Sequence, residues 1–279
     1  MKLLRYGTPG QERPGILDDN GKVRSLEGIV DDIDGAALAS GKLASVNAND
    51  LPVVDDPGRI GPCVGNVGKF LCVGLNYADH AAESGAAVPK EPEIFTKATS
   101  AICGPNDNVI QPKDSTKLDW EVELAIVIGR HASYVSEDEA GDYIAGYCVC
   151  NDVSERNFQL ERGSQWDKGK GCDTFGPIGP WLVTRDEIDD PLNLPMWLKV
   201  NGRQYQDGNT NTMVFGPTVI VSYLSRFMSL QPGDVITTGT PPGVGLGQKP
   251  PVFLKPGDVI ELGIDGLGTQ RQTVVAHGG

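Results

Sequence analysis

The chain has 279 residues, 39% of them hydrophobic and 22% charged, with a formal net charge of −13. This length and composition support a substantial buried core and argue against a long disordered tract. The acidic balance leaves no basic stripe to neutralise phosphates, so nucleic acid and anionic membrane surfaces are poor partners; no apolar run approaches the ~18 residues of a membrane span.

The opening "MKLLRYGTPGQERPG" carries charge within its first five residues and lacks the apolar core of a signal peptide, which predicts a cytoplasmic protein. Six cysteines are scattered along the chain and read as small, reduced hydrophobes. "CVC" at 148–150 lacks the two-residue gap and second pair of a zinc site.

In chain order, "KLLRYG" reads as a strand, and "PGILDDNGKVRSL" as a hairpin around Asn20-Gly21. A helical stretch follows near "GAALASGKLASV", then a Pro/Gly-rich connector, "VDDPGRIGP". These features predict a small β-rich N-terminal domain over 1–65 and a catalytic domain over 66–279. "KFLCVGLN" is a strand leading into a helix start at "YADHAAES", and "LDWEVELAIVIG" is a further strand. Ser136 and Glu139 have capping-box spacing, and "YCVCND" is a strand ending at Asp152. "LKVNGRQYQ" is a second Asn-Gly hairpin, "PTVIVSYLSRFMSL" an amphipathic helix opened by proline, and "PGDVI" twice marks a turn entering a strand.

Strand side chains alternate, so Glu121 and Glu123 point the same way with Cβ atoms roughly 6–7 Å apart. Charged residues are seldom buried, and an isolated pair of this kind reads as a solvated face. Here Ala125–Ile128 are apolar on both faces, as for a strand entering a core. With Asp152 at the next strand end, three carboxylates form a hard oxygen site suited to Mg²⁺ or Mn²⁺. His80 and Glu83 are spaced to share a helix face, either as an imidazole made basic by a carboxylate or as a surface ion pair. His131 follows "IGR" in a turn and His277 lies near the C-terminus, so His80 is the better candidate base. Arg156 and Gln159 suit a substrate carboxylate and keto oxygen, or equally a solvated helix. Lys168 and Lys170 lie in a glycine-rich segment, and "TTGTPPGVGLG" is a rigid loop presenting Thr240 and backbone N–H groups rather than a phosphate loop.

Together "GLNYADHAAES", "DWEVELAIVIG", "GYCVCNDVSERNFQ", "GKGCDTFGPIGPW", "WLKVNG" and "LQPGDVITTGTPPGVG" resemble the fumarylacetoacetate hydrolase family, over roughly residues 70–275. The resemblance implies a mixed β fold with few helices, rolled or barrel-like, paired as a homodimer. It implies Mg²⁺ or Mn²⁺ at Glu121, Glu123 and Asp152, a water-activating dyad at His80 and Glu83, an active-site lysine at Lys170, and substrate contacts from Tyr77, Arg156, Gln159 and Thr240. A further aspartate ligand upstream of the histidine in the founding enzyme has no counterpart here, which places the chain nearer the three-carboxylate branch of acylpyruvases, oxaloacetate decarboxylases and sugar-acid diketone hydrolases. Within it, the N-terminal unit and "GLNYADHAAESG" look most like hydrolases of 2,4-diketo-3-deoxy-L-rhamnonate or -fuconate, which release pyruvate and lactate. Oxaloacetate decarboxylation, 2-oxo-enoate hydration and a non-catalytic metal-dependent binding role are the alternatives.

Overall fold

The computed structural model describes residues 1–79 and 88–278. Near the N-terminus, β1 (Lys2–Tyr6), β2 (Arg13–Leu17) and β3 (Val23–Ser25) form an antiparallel ribbon. The expected Asn20-Gly21 hairpin is present, but its loop spans residues 18–22. Asp18 organises it, its Oδ1 accepting from the N–H groups of Asn20 (2.9 Å) and Lys22 (2.8 Å). Helix α1 (Gly35–Ala39) follows, its N-terminus capped by Asp34 Oδ1 accepting from the Ala37 N–H.

The middle of the chain supplies β4 (Phe70–Gly74), β5 (Glu93–Lys97), β6 (Ile102–Cys103), β7 (Val109–Gln111), β8 (Leu118–Asp119), β9 (Val122–Ile128), β10 (Ile144–Asn151), β11 (Ser154–Glu155) and β12 (Gly176–Thr184). Between them lie α2 (Glu137–Ala140), α3 (Arg156–Leu160) and α4 (Asp167–Lys170). The capping residues meet as expected: Glu139 Oε2 accepts from the Ser136 N–H (3.4 Å) and hydroxyl (2.7 Å). The C-terminal part adds β13 (Pro195–Val200), β14 (Arg203–Asn209), α5 (Pro217–Leu224), β15 (Val235–Thr237), β16 (Val259–Ile264) and β17 (Gly268–Ala276). Val200 pairs with Arg203 across Asn201-Gly202, both at positive φ, as a two-residue hairpin demands.

Ten strands make one open sheet in the order β3-β2-β1-β12-β10-β9-β15-β4-β5, with β6 beside β12. A second open sheet runs β14-β13-β16-β17-β7. The mixed β architecture with few helices is thus as expected, and among the described strands no barrel closes. The first three strands extend the large sheet through the pairing of β1 with β12, where Leu3 faces Leu182.

Strand β9 is buried at every position because both faces are covered. Leu124, Ile126 and Ile128 pack with Leu198, Leu262 and Ile220 of the second sheet and α5. Ala125 and Val127, on the opposite face, pack with Leu26, Ile33 and Leu43 of the N-terminal segment. No described helix is long and apolar enough to cross a membrane.

Candidate metal centre and active-site cavity

The acidic cluster forms where neighbouring strands β9 and β10 end together. Glu123, in β9, stands opposite Cys150, in β10. Glu121 immediately precedes β9 rather than lying within it, and Asp152 immediately follows β10. Their backbones are tied, the Asp152 N–H donating to Glu121 O at 2.9 Å. One carboxylate oxygen from each of Glu121, Glu123 and Asp152 lies within 4.8 Å of the others, and all three residues are buried.

Basic side chains close round this cluster. Lys170, at the end of α4, donates to Glu121 Oε2 and Asp152 Oδ2, both at 2.7 Å. Lys97, ending β5, donates to Asp152 Oδ1 at 2.5 Å and to the Val153 carbonyl at 3.1 Å. Arg156, opening α3, donates from Nη2 to Glu121 Oε1 (2.6 Å), from Nε to Asp119 Oδ2 (2.8 Å) and from Nη1 to Gln159 Oε1 (3.0 Å). Burial alone would depress the Lys170 pKa, but Asp152 and Glu121 outweigh it and raise it above the ordinary lysine value. The ammonium therefore stays charged and serves as a fixed cation.

Glu123 differs from its neighbours. Its described hydrogen-bond partner is the Gly239 N–H, at 2.8 Å, and none of the three cations pairs with it directly. Burial, then the negative charges of Asp152 and Glu121, push its pKa well above the usual carboxylate range. A buried, under-compensated carboxylate beside two others, with neither imidazole nor thiolate in the group, fits a hard divalent cation such as Mg²⁺ or Mn²⁺.

A cavity of about 430 Å³ opens from the cluster, with Glu121, Glu123, Arg156, Gln159, Lys170 and Thr240 on its wall. Thr240 is spoken for by the backbone: its hydroxyl donates to Val122 O (2.9 Å) and accepts from Gln206 Nε2 (2.7 Å). It fixes the loop rather than offering a free hydroxyl. Tyr77, expected to contact substrate, is not brought to the cavity; its fully buried hydroxyl points into the core and donates to Met196 Sδ at 3.3 Å. The difference is one of direction, since a tyrosine in a chemistry-rich stretch can equally face the core. His80 and Glu83 lie outside the described residues.

Two participants escaped the sequence reading. Lys97 resembles any strand-end lysine, and no periodicity marks it. Asp119 carried a signal, since it continues the alternation of Glu121 and Glu123 by one more odd position. It joins the cluster to the cavity mouth, its Oδ1 accepting from the Gly245 N–H (2.6 Å) and its Oδ2 from the Leu246 N–H (3.0 Å).

Known proteins resemble this chain along most of its length. Residues 69–275 match the family model "Fumarylacetoacetate (FAA) hydrolase C-terminal". A protein of Burkholderia ambifaria, named only in general terms as a hydrolase, is 64% identical over 277 residues, 98% of each chain. Among solved structures, a fumarylacetoacetate hydrolase from Exiguobacterium antarcticum superposes with a TM-score of 0.90 at 36% identity, covering 99% of both chains. A 2-hydroxyhepta-2,4-diene-1,7-dioate isomerase from Mycobacterium marinum superposes with a TM-score of 0.78 at 33% identity, covering 100% of both. The chain belongs to the fumarylacetoacetate hydrolase family.

Proposed function

We propose that the protein hydrolyses the C3–C4 bond of a 2,4-diketo acid to a carboxylic acid and pyruvate. The observation carrying this reading is a buried set of three carboxylates at the inner end of a cavity, flanked by the fixed cations Lys170 and Arg156. A divalent ion held by Glu121, Glu123 and Asp152 would supply Lewis acidity to a bound 2-oxo acid head. Arg156 and Gln159 line the same wall and orient the head's oxygens. His80, which the sequence resemblance pairs with Glu83, takes a proton from water, and the water oxygen bonds to C4. The C3–C4 bond breaks with its electron pair moving to C3, and the resulting pyruvate enolate faces the Lys170 ammonium until C3 takes up a proton. The sugar acids 2,4-diketo-3-deoxy-L-rhamnonate and -fuconate, named by the sequence resemblance, belong to this substrate class, and the reading carries with it a homodimeric, cytoplasmic enzyme.

A second reading, isomerisation of an unsaturated dicarboxylate, is favoured by the Mycobacterium marinum neighbour. Pyruvate release separates the two, because isomerisation yields none. The hydrolase reading expects pyruvate from a 2,4-diketo acid with Mg²⁺, none after chelation, and loss of turnover in His80→Ala with unchanged metal binding. No pyruvate from any diketo acid, or a His80→Ala variant as active as the parent, would sink it.

A further inference from the structure

Among the described residues, the cavity is polar at its carboxylate end and again at Gln248 and Lys249, which follow Leu246 in sequence. Its apolar wall is made by Phe95, Leu160, Trp166, Val244 and Leu246. Leu160 and Leu246 hold the mouth with 49% and 39% of their surface exposed. This wall is built rather than incidental. The Trp166 indole lies against the end of β4 at Gly74, where a Cβ would sit 2.7 Å from the ring's Cζ3. The Phe95 ring meets it edge-on, centroids 5.4 Å apart at 60°. Asp167 clamps the start of α4 to β5, its Oδ1 accepting from the Thr96 N–H and hydroxyl, both at 3.1 Å. Phe95 in turn carries the Lys170 ammonium 5.1 Å from its ring centre. The aromatic pair therefore runs from the reacting end outward as one continuous surface.

A volume of about 430 Å³ falls in the range of cavities that take ligands well beyond a three-carbon acid, ~300–1,000 Å³. Hydroxyls laid along such a wall would give up water without gaining a partner. We propose that the group attached beyond the reacting C4 carbonyl is an apolar chain or ring, and that Trp166 with Phe95 is the specificity-determining wall that binds it. This rests on the hydrolase reading and narrows its substrate from diketo acids in general to acylpyruvates with an apolar acyl group.

The test follows pyruvate release by the Mg²⁺-loaded protein from 2,4-dioxopentanoate, 2,4-dioxooctanoate and 2,4-diketo-3-deoxy-L-rhamnonate. Each methylene buried on the wall adds about fourfold, so kcat/KM rises at least tenfold from the five- to the eight-carbon acid, and the hydroxylated acid falls below the eight-carbon one. In Trp166→Ala the eight-to-five-carbon ratio drops at least fivefold. Gly74→Ala, which displaces the ring without removing it, lowers the ratio in the same direction and stands in should Trp166→Ala fail to fold. A ratio within twofold in the parent, or one unmoved by both variants, overturns the proposal. A binding readout keeps it testable without turnover: calorimetric Kd values for 2-oxobutanoate and 2-oxooctanoate. Tighter binding of the longer acid by the parent, lost in the variants, supports the apolar wall, and equal affinities refute it. Absence of pyruvate from every substrate would instead remove the hydrolase reading.

Discussion

The Lys170 ammonium lies 2.7 Å from the Asp152 carboxylate, and both side chains are cut off from water. The same ammonium reaches Glu121 at 2.7 Å, so one cation bridges two of the three carboxylates. Removing it leaves Asp152 with Lys97 alone and Glu121 with Arg156 alone in a buried cluster of three carboxylates, a cost below the about 3–5 kcal/mol of a buried charge left with no partner. Lys170→Met should therefore unfold at markedly lower urea concentration in EDTA, and Mg²⁺ should restore much of the loss by binding only the folded state. Turnover should stay depressed by at least ~100-fold, since removing a single charge-stabilising group in other enzymes costs 10²–10³. Equal urea midpoints for variant and parent in EDTA would show that the bridge contributes nothing to stability.

Glu123 gives a pH signature. Its folded pKa is raised by burial and then by the neighbouring carboxylates, so its contribution to stability is complete below the unfolded value near 4.5 and is lost as pH rises through the folded pKa. Glu123→Gln imitates the protonated form at every pH. Without metal, the variant should match the parent's Tm near pH 5 and exceed it near pH 8. With saturating Mg²⁺ the order should invert at pH 8, because the parent keeps a charged ligand that the variant lacks. A Tm difference independent of pH would contradict the assignment.

Asp119 ties Arg156 to the backbone of Gly245 and Leu246 at the cavity mouth. Asparagine there keeps one acceptor but turns an NH₂ toward groups that are themselves donors. Hydrogen bonds to a charged group contribute about 1.5–3 kcal/mol each, so Asp119→Asn should cost ~2 kcal/mol of stability. A rise in KM of roughly tenfold, with a smaller change in kcat, is expected because binding groups move and the carboxylate cluster stays. Unaltered KM would show that Asp119 does not position Arg156 or the loop.

Gly146 sits where β10 passes β12, and a Cβ there would stand 2.0 Å from the Val183 carbonyl oxygen. Overpacking a well-filled interior costs about 1–3 kcal/mol. Gly146→Ala should lower Tm and, because Asp152 follows the same strand, also weaken Mg²⁺ binding in calorimetry. A variant with the parent's Tm would mean the strands part at no cost.

Much of the local structure was legible in the residues. The two-residue turn at Asn201-Gly202, the cap at Ser136 and the proline-opened α5 follow from backbone preferences that act within a few positions. Tyr77 shows the limit. Its place in a motif was visible, but whether its hydroxyl met substrate or the core depended on Met196, far away in sequence. The Asp18 loop is a similar case, where a side chain outbid the shorter Asn-Gly turn for the backbone N–H groups.

By itself the sequence determined the acidic pattern. Glu121 and Glu123 share a side because strand side chains alternate, and an apolar run beyond them announces burial. Only the tertiary structure decided which cations and rings meet that pattern. Lys97 reaches Asp152, and Trp166 lies on Gly74, because packing set the strand order β9-β15-β4-β5 and laid α4 against it. Periodicity reports the face a residue takes on its own element, whereas the neighbours across that face follow from how the whole sheet buries its two sides.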